Sequence, residues 1–214
     1  MKTTTTQNQT AQSMNAKPRQ GASKNPAATA IDIVRRIIGE FTYHPSDIRT
    51  AVQEVGHSMT VKLQVNRADM PRVLGKQGTH FRALESLVAA IGAKAGLTLR
   101  FQLVEPAVGM PDRYDPFTAK EEWNSANAVQ LLSEIADATF MGKTSIRVID
   151  GEDYQSSIEL TLTAVEKRAI IDAVAGAAKV LFKAIGRAQG RFLVVDIILP
   201  GGNNAGVLEE TWSH

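Results

Sequence analysis

An α+β fold is expected for this chain of 214 residues, built as two similar units, each helix, strand, strand, helix, helix, strand. Three observations predict it. Apolar and polar residues alternate over residues 59–65, the two-residue period of a half-buried strand. Apolar residues recur at three- and four-residue steps over residues 31–41 and 81–91, the period of an amphipathic helix. The same order of elements then returns after a proline-rich stretch. Each unit is expected to pack its helices on one face of a three-stranded sheet.

Residues 1–28 have no apolar period and are rich in Thr, Gln, Asn, Ala, Ser and Lys. They read as a disordered basic arm. The first unit is expected over residues 29–105. Ile31, Val34, Ile37, Ile38 and Phe41 line one face of its first helix, with Thr29 placed to cap it. His44-Pro45-Ser46-Asp47 stops that helix and turns the chain. Residues 48–55 and 59–65 read as strands joined at Gly56-His57-Ser58. Met59, Val61, Leu63 and Val65 should face the core. A short helix runs from Asp69 to Leu74. Gly75-Lys76-Gln77-Gly78 interrupts it, and a longer helix follows from Thr79 to about Lys94. Gly96 ends that helix, and residues 97–104 form the third strand.

Residues 106–118 contain three prolines and read as a linker. The second unit is expected over residues 119–199. Its first helix begins near Trp123. Residues 145–149 and 157–162 are strands across the acidic turn Asp150-Gly151-Glu152-Asp153. A helix spans residues 166–185 and a strongly apolar strand spans residues 191–199. Residues 163–171 correspond in role to residues 66–74, and residues 178–186 to residues 84–92. Between those anchors the first unit has nine residues and the second has six. The second unit therefore lacks the glycine turn, and Asp172-Ala173-Val174-Ala175-Gly176 should be continuous helix. Residues 200–214 read as a flexible tail, with Trp212 either unstructured or docked on a partner.

Net charge is only +2, but the bases are unevenly placed. Residues 1–105 carry net +7 and the remainder net −5. Contact with phosphate should concentrate in the first half. In the second half, Lys179, Lys183 and Arg187 recur at four-residue steps and form one basic stripe, either solvated or a further strip of backbone contact. The absence of cysteine excludes disulfides, thiolate metal sites and thiol catalysis. It suits a reducing compartment. No apolar run is long enough for a membrane span, and no apolar leader opens the chain.

Enzyme motifs are not met. Gly142-Lys143-Thr144 imitates the end of a phosphate-binding loop, but the first glycine that loop needs is Asp137. His44, His57, His80 and His214 have no metal-ligand spacing. No nucleophile elbow occurs. Neither a cofactor nor a metal site is expected.

With 16 glycines in the chain, a Gly-x-x-Gly pair arises about once by chance, so the tetrapeptide alone says little. Its setting says more: a helix before, a helix after, a lysine inside, and three strands in suitable places. Asn66-Arg67-Ala68-Asp69-Met70-Pro71-Arg72-Val73-Leu74-Gly75-Lys76-Gln77-Gly78 in that setting resembles the signature of type II KH domains, and most of all the small bacterial KhpA-type family. The likeness spans roughly residues 30–105, and His44-Pro45 fits the same family. The second unit is similar only through the repeat and is expected to be a degenerate copy.

The resemblance implies a small cytoplasmic protein, bacterial or phage-encoded, that binds single-stranded RNA and catalyses nothing. Members act as RNA chaperones or post-transcriptional regulators and are often dimeric. It places RNA at the turn, which clamps about four nucleotides. Gly75 and Gly78 let phosphates approach the main chain, and Lys76 at the tip, beside Gln77, contacts a phosphate. Thr79 caps the following helix near its exposed amides. Arg72 and Arg82 flank the turn, able to reach phosphate or stack on a base. Arg82 reads equally as a solvated position, and His80 as a surface histidine or a base reader. Val73 and Leu74, with Val61 and Leu63, line an apolar floor, of which one or two would touch a base and the rest belong to the core. The second unit packs on the first or mediates homo-oligomerisation. Two other readings stand beside this one: a scaffold that keeps the KH fold for assembly, and a binder of single-stranded DNA.

Overall fold

Asn25 and Pro26 start the first helix. The Asn25 side chain accepts from the Ala27 amide at 3.0 Å, and proline at the first turn gives up a donor that has no partner there anyway. Helix α1 therefore spans Pro26–Phe41, beginning inside the expected arm and ahead of the expected cap at Thr29. The computed structural model of the protein describes residues 25–56, 58–105, 125–150, 155–200 and 204–205. The rest of the arm, the linker, the acidic turn, His57, Trp123 and Trp212 lie outside the described residues.

Strands β1 (Arg49–Val55) and β2 (Ser58–Gln64) form an antiparallel hairpin with Val52 opposite Val61. Helices α2 (Met70–Leu74) and α3 (Thr79–Lys94) lead to β3 (Thr98–Val104), which lies parallel to β2. The first sheet thus has the order β1-β2-β3. Val61, Leu63 and Val65 are buried against the helices, as the alternation predicts, while Met59 is half-buried.

The second unit repeats this with α4 (Ser125–Thr139), β4 (Thr144–Asp150), β5 (Gln155–Leu162), α5 (Arg168–Ala188) and β6 (Phe192–Ile198). Asp172 to Gly176 lie inside α5, unbroken, so there is no glycine turn. Two expectations need correction. The helix starts at Arg168 rather than Glu166, because the Glu166 side chain is engaged elsewhere, as described below. Part of the expected flexible tail is a strand: β7 (Asn204–Ala205) pairs antiparallel with β6 and makes the second sheet four-stranded.

Two devices recur at corresponding places in the two units. Gly92 and Gly186 occupy the last turns of α3 and α5, where the returning chain passes close. A β-carbon there would lie 2.8 Å from the Leu97 carbonyl oxygen and 2.7 Å from that of Arg191. The second device is an acid that clasps the segment leaving the first helix of each unit. Asp69 accepts from the amides of Tyr43 (2.7 Å) and His44 (2.9 Å). Glu166, its counterpart, accepts from Met141 (2.7 Å) and Gly142 (2.8 Å).

The two units meet through their helices. α3 lies along α5, α1 packs on α4 and α5, and α4 packs on α3, so the contacts are reciprocal, as in a two-fold dimer. The sheets lie outside and four helices between them. The buried apolar side chains of both units form one continuous cluster, from Ala27 to Ile197. Ala175, Ala177 and Ala178 on α5 are buried. The half-exposed Arg36–Glu134 ion pair across the seam adds at most about 1 kcal/mol; the apolar burial dominates. The second unit's helix face, expected either to pack on the first unit or to self-associate, packs on the first unit.

Candidate nucleic-acid interface

Asn66 sets the geometry of the segment before the turn. Its side-chain oxygen accepts from the Ala68 amide at 3.0 Å and its amide group donates to Asp47 at 2.9 Å. A single 3₁₀ turn over Arg67–Asp69 then feeds the five-residue α2. So short a helix has little stability of its own. Two anchors hold it: Val73, fully buried, and Asp69, also fully buried. Besides the two amides, the Asp69 carboxylate lies 3.1 Å from His44 Nδ1. Replacing Asp69 by alanine strands buried donors, each costing about 1–3 kcal/mol. Asp69→Ala is therefore expected to lower stability by about 2–4 kcal/mol, read from a urea titration. A loss below about 0.5 kcal/mol would show that the clasp does not hold α2.

The turn itself reverses handedness. Gly75 ends α2 at φ 69°, ψ 175°, a region open essentially only to glycine. Gln77 is left-handed at φ 53°, ψ 28°, and Gly78 at φ 75°, ψ 19°. Gly75 is constrained twice, since a β-carbon on it would lie 2.6 Å from the His80 ring. Lys76 and Gln77 are exposed. From Met70 to Leu84 the sequence carries Arg72, Lys76 and Arg82 and no acid, between Asp69 and Glu85.

The side chains expected to act together divide into two groups. Lys76, Gln77, Arg82 and the part-exposed Leu74 face solvent. Arg82 lies over Gly78, its Nη1 3.5 Å from where a β-carbon would sit. The others point into the protein. Arg72 donates to the Phe41 carbonyl at 3.0 Å and to the Tyr43 hydroxyl, with its guanidinium 3.5 Å above the Tyr43 ring. It thereby closes the C-terminal end of α1. His80 is half-buried against Phe41, ring centroids 5.7 Å apart, and its Nδ1 donates to the Arg72 carbonyl at 2.7 Å. That bond requires the proton on Nδ1, since a carbonyl only accepts. Val73, Val61 and Leu63 are core, which leaves Leu74 as the one exposed member of the expected apolar floor. Thr79 does not cap α3. Gly78 takes the cap position and, without a side chain, offers no cap bond to the first turn.

Residues 31–103 match the family model described as the KH domain of KhpA and KhpB. The RNA-binding protein KhpA of Listeria monocytogenes is 35% identical over 74 residues, which is 35% of this chain and 97% of that protein. The chain belongs to the KhpA-type KH family. KhpA of Halalkalibacterium halodurans is 34% identical over 73 residues, 34% of this chain and 96% of its own length. KhpA of Bacillus subtilis is 28% identical over 74 residues, 35% of this chain and 91% of its own.

In this KH unit the residues missed by sequence reasoning are those that shape the turn from behind. Asp69 and Tyr43 are 26 residues apart in the chain, and no local period links them. Asp69 did carry one signal, an acid at the entry of a short apolar helix. Arg187 is a further case. Its stripe is legible in the sequence, but not that it reaches the KH unit from α5 and shares a cavity with Arg72 and His80. Among the described residues there is no group of three or more His, Cys, Asp or Glu able to hold a metal ion.

Proposed function

We propose that this protein binds single-stranded RNA without catalysis, and that its first unit takes the RNA backbone at the Gly75–Gly78 turn. One observation carries this reading: the only two side chains on the turn, Lys76 and Gln77, are exposed, and the glycines on either side leave the main chain open to a phosphate. The curated relatives, nearly all of whose length the chain covers, are named RNA-binding proteins. In this reading Lys76 neutralises a phosphate, Arg82 a neighbouring phosphate, and the uncapped first turn of α3 favours the same negative charge. Leu74 offers the apolar contact for a base. Arg72, Thr79, Val73 and His80 act by holding the turn in shape.

A groove with one exposed apolar side chain reads few base edges, so sequence preference is low. That suits an RNA chaperone or a general post-transcriptional regulator working in the cytoplasm. No helix among the described residues is long and apolar enough to cross a membrane.

The test is a fluorescence anisotropy titration of the full chain with a labelled 12-nucleotide RNA and the DNA of the same sequence, at low and moderate salt. RNA binding that weakens as salt rises is expected, with a log–log slope of about −0.7 per phosphate contacted. Affinity that is absent at low salt, or indifferent to salt, rejects the reading. Tighter binding of the DNA would reassign the ligand.

A further inference from the structure

The second unit has lost its own turn but brings the C-terminal end of α5 beside the turn of the first. Between them lies a cavity of about 220 Å³, lined by Phe41, Arg72, His80, Ala184, Arg187 and Ala188. Its ionisable walls are two arginines and a histidine, with no carboxylate among them. At about 30 Å³ per water, it has room for a phosphate group together with solvent. His80, one wall of this cavity, is also the residue against which Gly75 is packed, so the cavity adjoins the turn.

Arg187 is exposed and, among the described residues, has no hydrogen-bond or ion-pair partner; the same holds for Lys183, one helical turn earlier. Lys179, the next base in the stripe, is different, since it lies 3.7 Å from Asp196. At the other end, the Gln189 side chain donates to Glu40. The free part of the stripe is therefore Arg187 and Lys183, about 6 Å apart along the helix axis, of the order of one nucleotide step.

The arrangement is one-sided. Gly92 and Gly186 set the offset between the helices, and the residues of α3 that correspond to Lys183 and Arg187 are Ala89 and Ala93. On that opposite side a cavity of about 320 Å³ holds Asp137 and Lys94, and Lys94 donates to the carbonyls of Asp137 and Phe140. Among the described residues of α3 and α5, Lys94, Arg168 and Lys179 are engaged, which leaves Arg82 beside the glycine turn and Lys183 and Arg187 on α5 as the exposed bases of the helix pair.

We propose that single-stranded RNA leaving the Gly75–Gly78 turn crosses the seam between the units and continues along the end of α5, where Arg187 and then Lys183 take successive backbone phosphates. The proposal rests on RNA binding at the turn and extends it, making the degenerate unit a second half of one binding path.

Lys183→Ala/Arg187→Ala in the full chain tests it, with Lys76→Asp/Gln77→Asp as the reference. A labelled 12-nucleotide RNA is titrated directly, and an unlabelled 4-nucleotide RNA is measured by competition against it. The α5 variant is expected to bind the 12-mer about fivefold or more weakly, with a salt slope shallower by about 1.4, the loss of two phosphate contacts. Its affinity for the 4-mer should be unchanged. A 12-mer affinity and slope equal to the wild type, while the turn variant loses binding, overturns the extension and leaves the turn as the site. Equal loss on both lengths overturns it too, by placing the α5 bases in the primary site. A turn variant that binds like the wild type rejects the underlying reading itself.

Discussion

Lys76→Asp/Gln77→Asp is expected to weaken the binding of single-stranded RNA by about tenfold or more, with no loss of fold. Reversing the charge at the tip removes one cation and sets two anions where a phosphate would approach main-chain amides. Both side chains are exposed, so no packing is lost. The conformational demand is also met. Gln77 sits at φ 53°, a left-handed position where aspartate is among the better-tolerated side chains. Two carboxylates just before α3 also sit favourably at the positive end of that helix. A urea midpoint within error of the wild type, together with the drop in affinity and a shallower salt slope, is the expected outcome. Unchanged affinity in a folded variant would remove the turn from the binding site.

Phe182→Ala is expected to destabilise the whole chain by about 3–5 kcal/mol, and to do so in one transition. Phe182 is fully buried in α5, the helix that packs on its own sheet and on α3 of the other unit. Deleting the ring leaves a cavity that a close-packed interior refills only in part. At this chain length the loss corresponds to a fall in melting temperature of about 6–20 °C. Because the buried cluster runs through both units, the two should melt together, followed by circular dichroism and calorimetry. Two transitions, only one of them shifted, would show that the units fold independently and that the seam is a weak contact.

These two predictions draw on different depths of information. Residues 59–65, 75–78 and 79–94 carry strong local signals, namely alternation, paired glycines and a helical period. Their elements lie where the sequence places them, and α3 runs from Thr79 to Lys94 as expected. The missing turn in the second unit also followed from counting residues between matched anchors. Weaker local signals were misplaced by a few residues. The start of α1 is set by Asn25 and Pro26, but its first turn offers only the small alanines Ala27, Ala28 and Ala30, and that pattern is too faint to extend the helix. Glu166 has good helix propensity, yet its carboxylate bonds to the amides of Met141 and Gly142, and that tertiary demand outweighs propensity. Asn204 and Ala205 have no strand signal of their own and are strand only because β6 offers them an edge.

Side-chain roles around the turn show the same division. That Lys76 and Gln77 stand free at its tip follows from their place between two glycines. That Arg72 and His80 turn inward does not, because their partners Phe41 and Tyr43 come from a distant helix end. The sequence by itself determined the order of elements, the repeat and the position of the single glycine turn, since each is a matter of neighbours within a few residues. Only the tertiary structure decided that the two units share one core, that His80 and Asp69 hold the turn from behind, and that Arg187 is brought beside it. Those are contacts between residues tens of positions apart, selected by how apolar helix faces close on each other, and no local period encodes which face meets which.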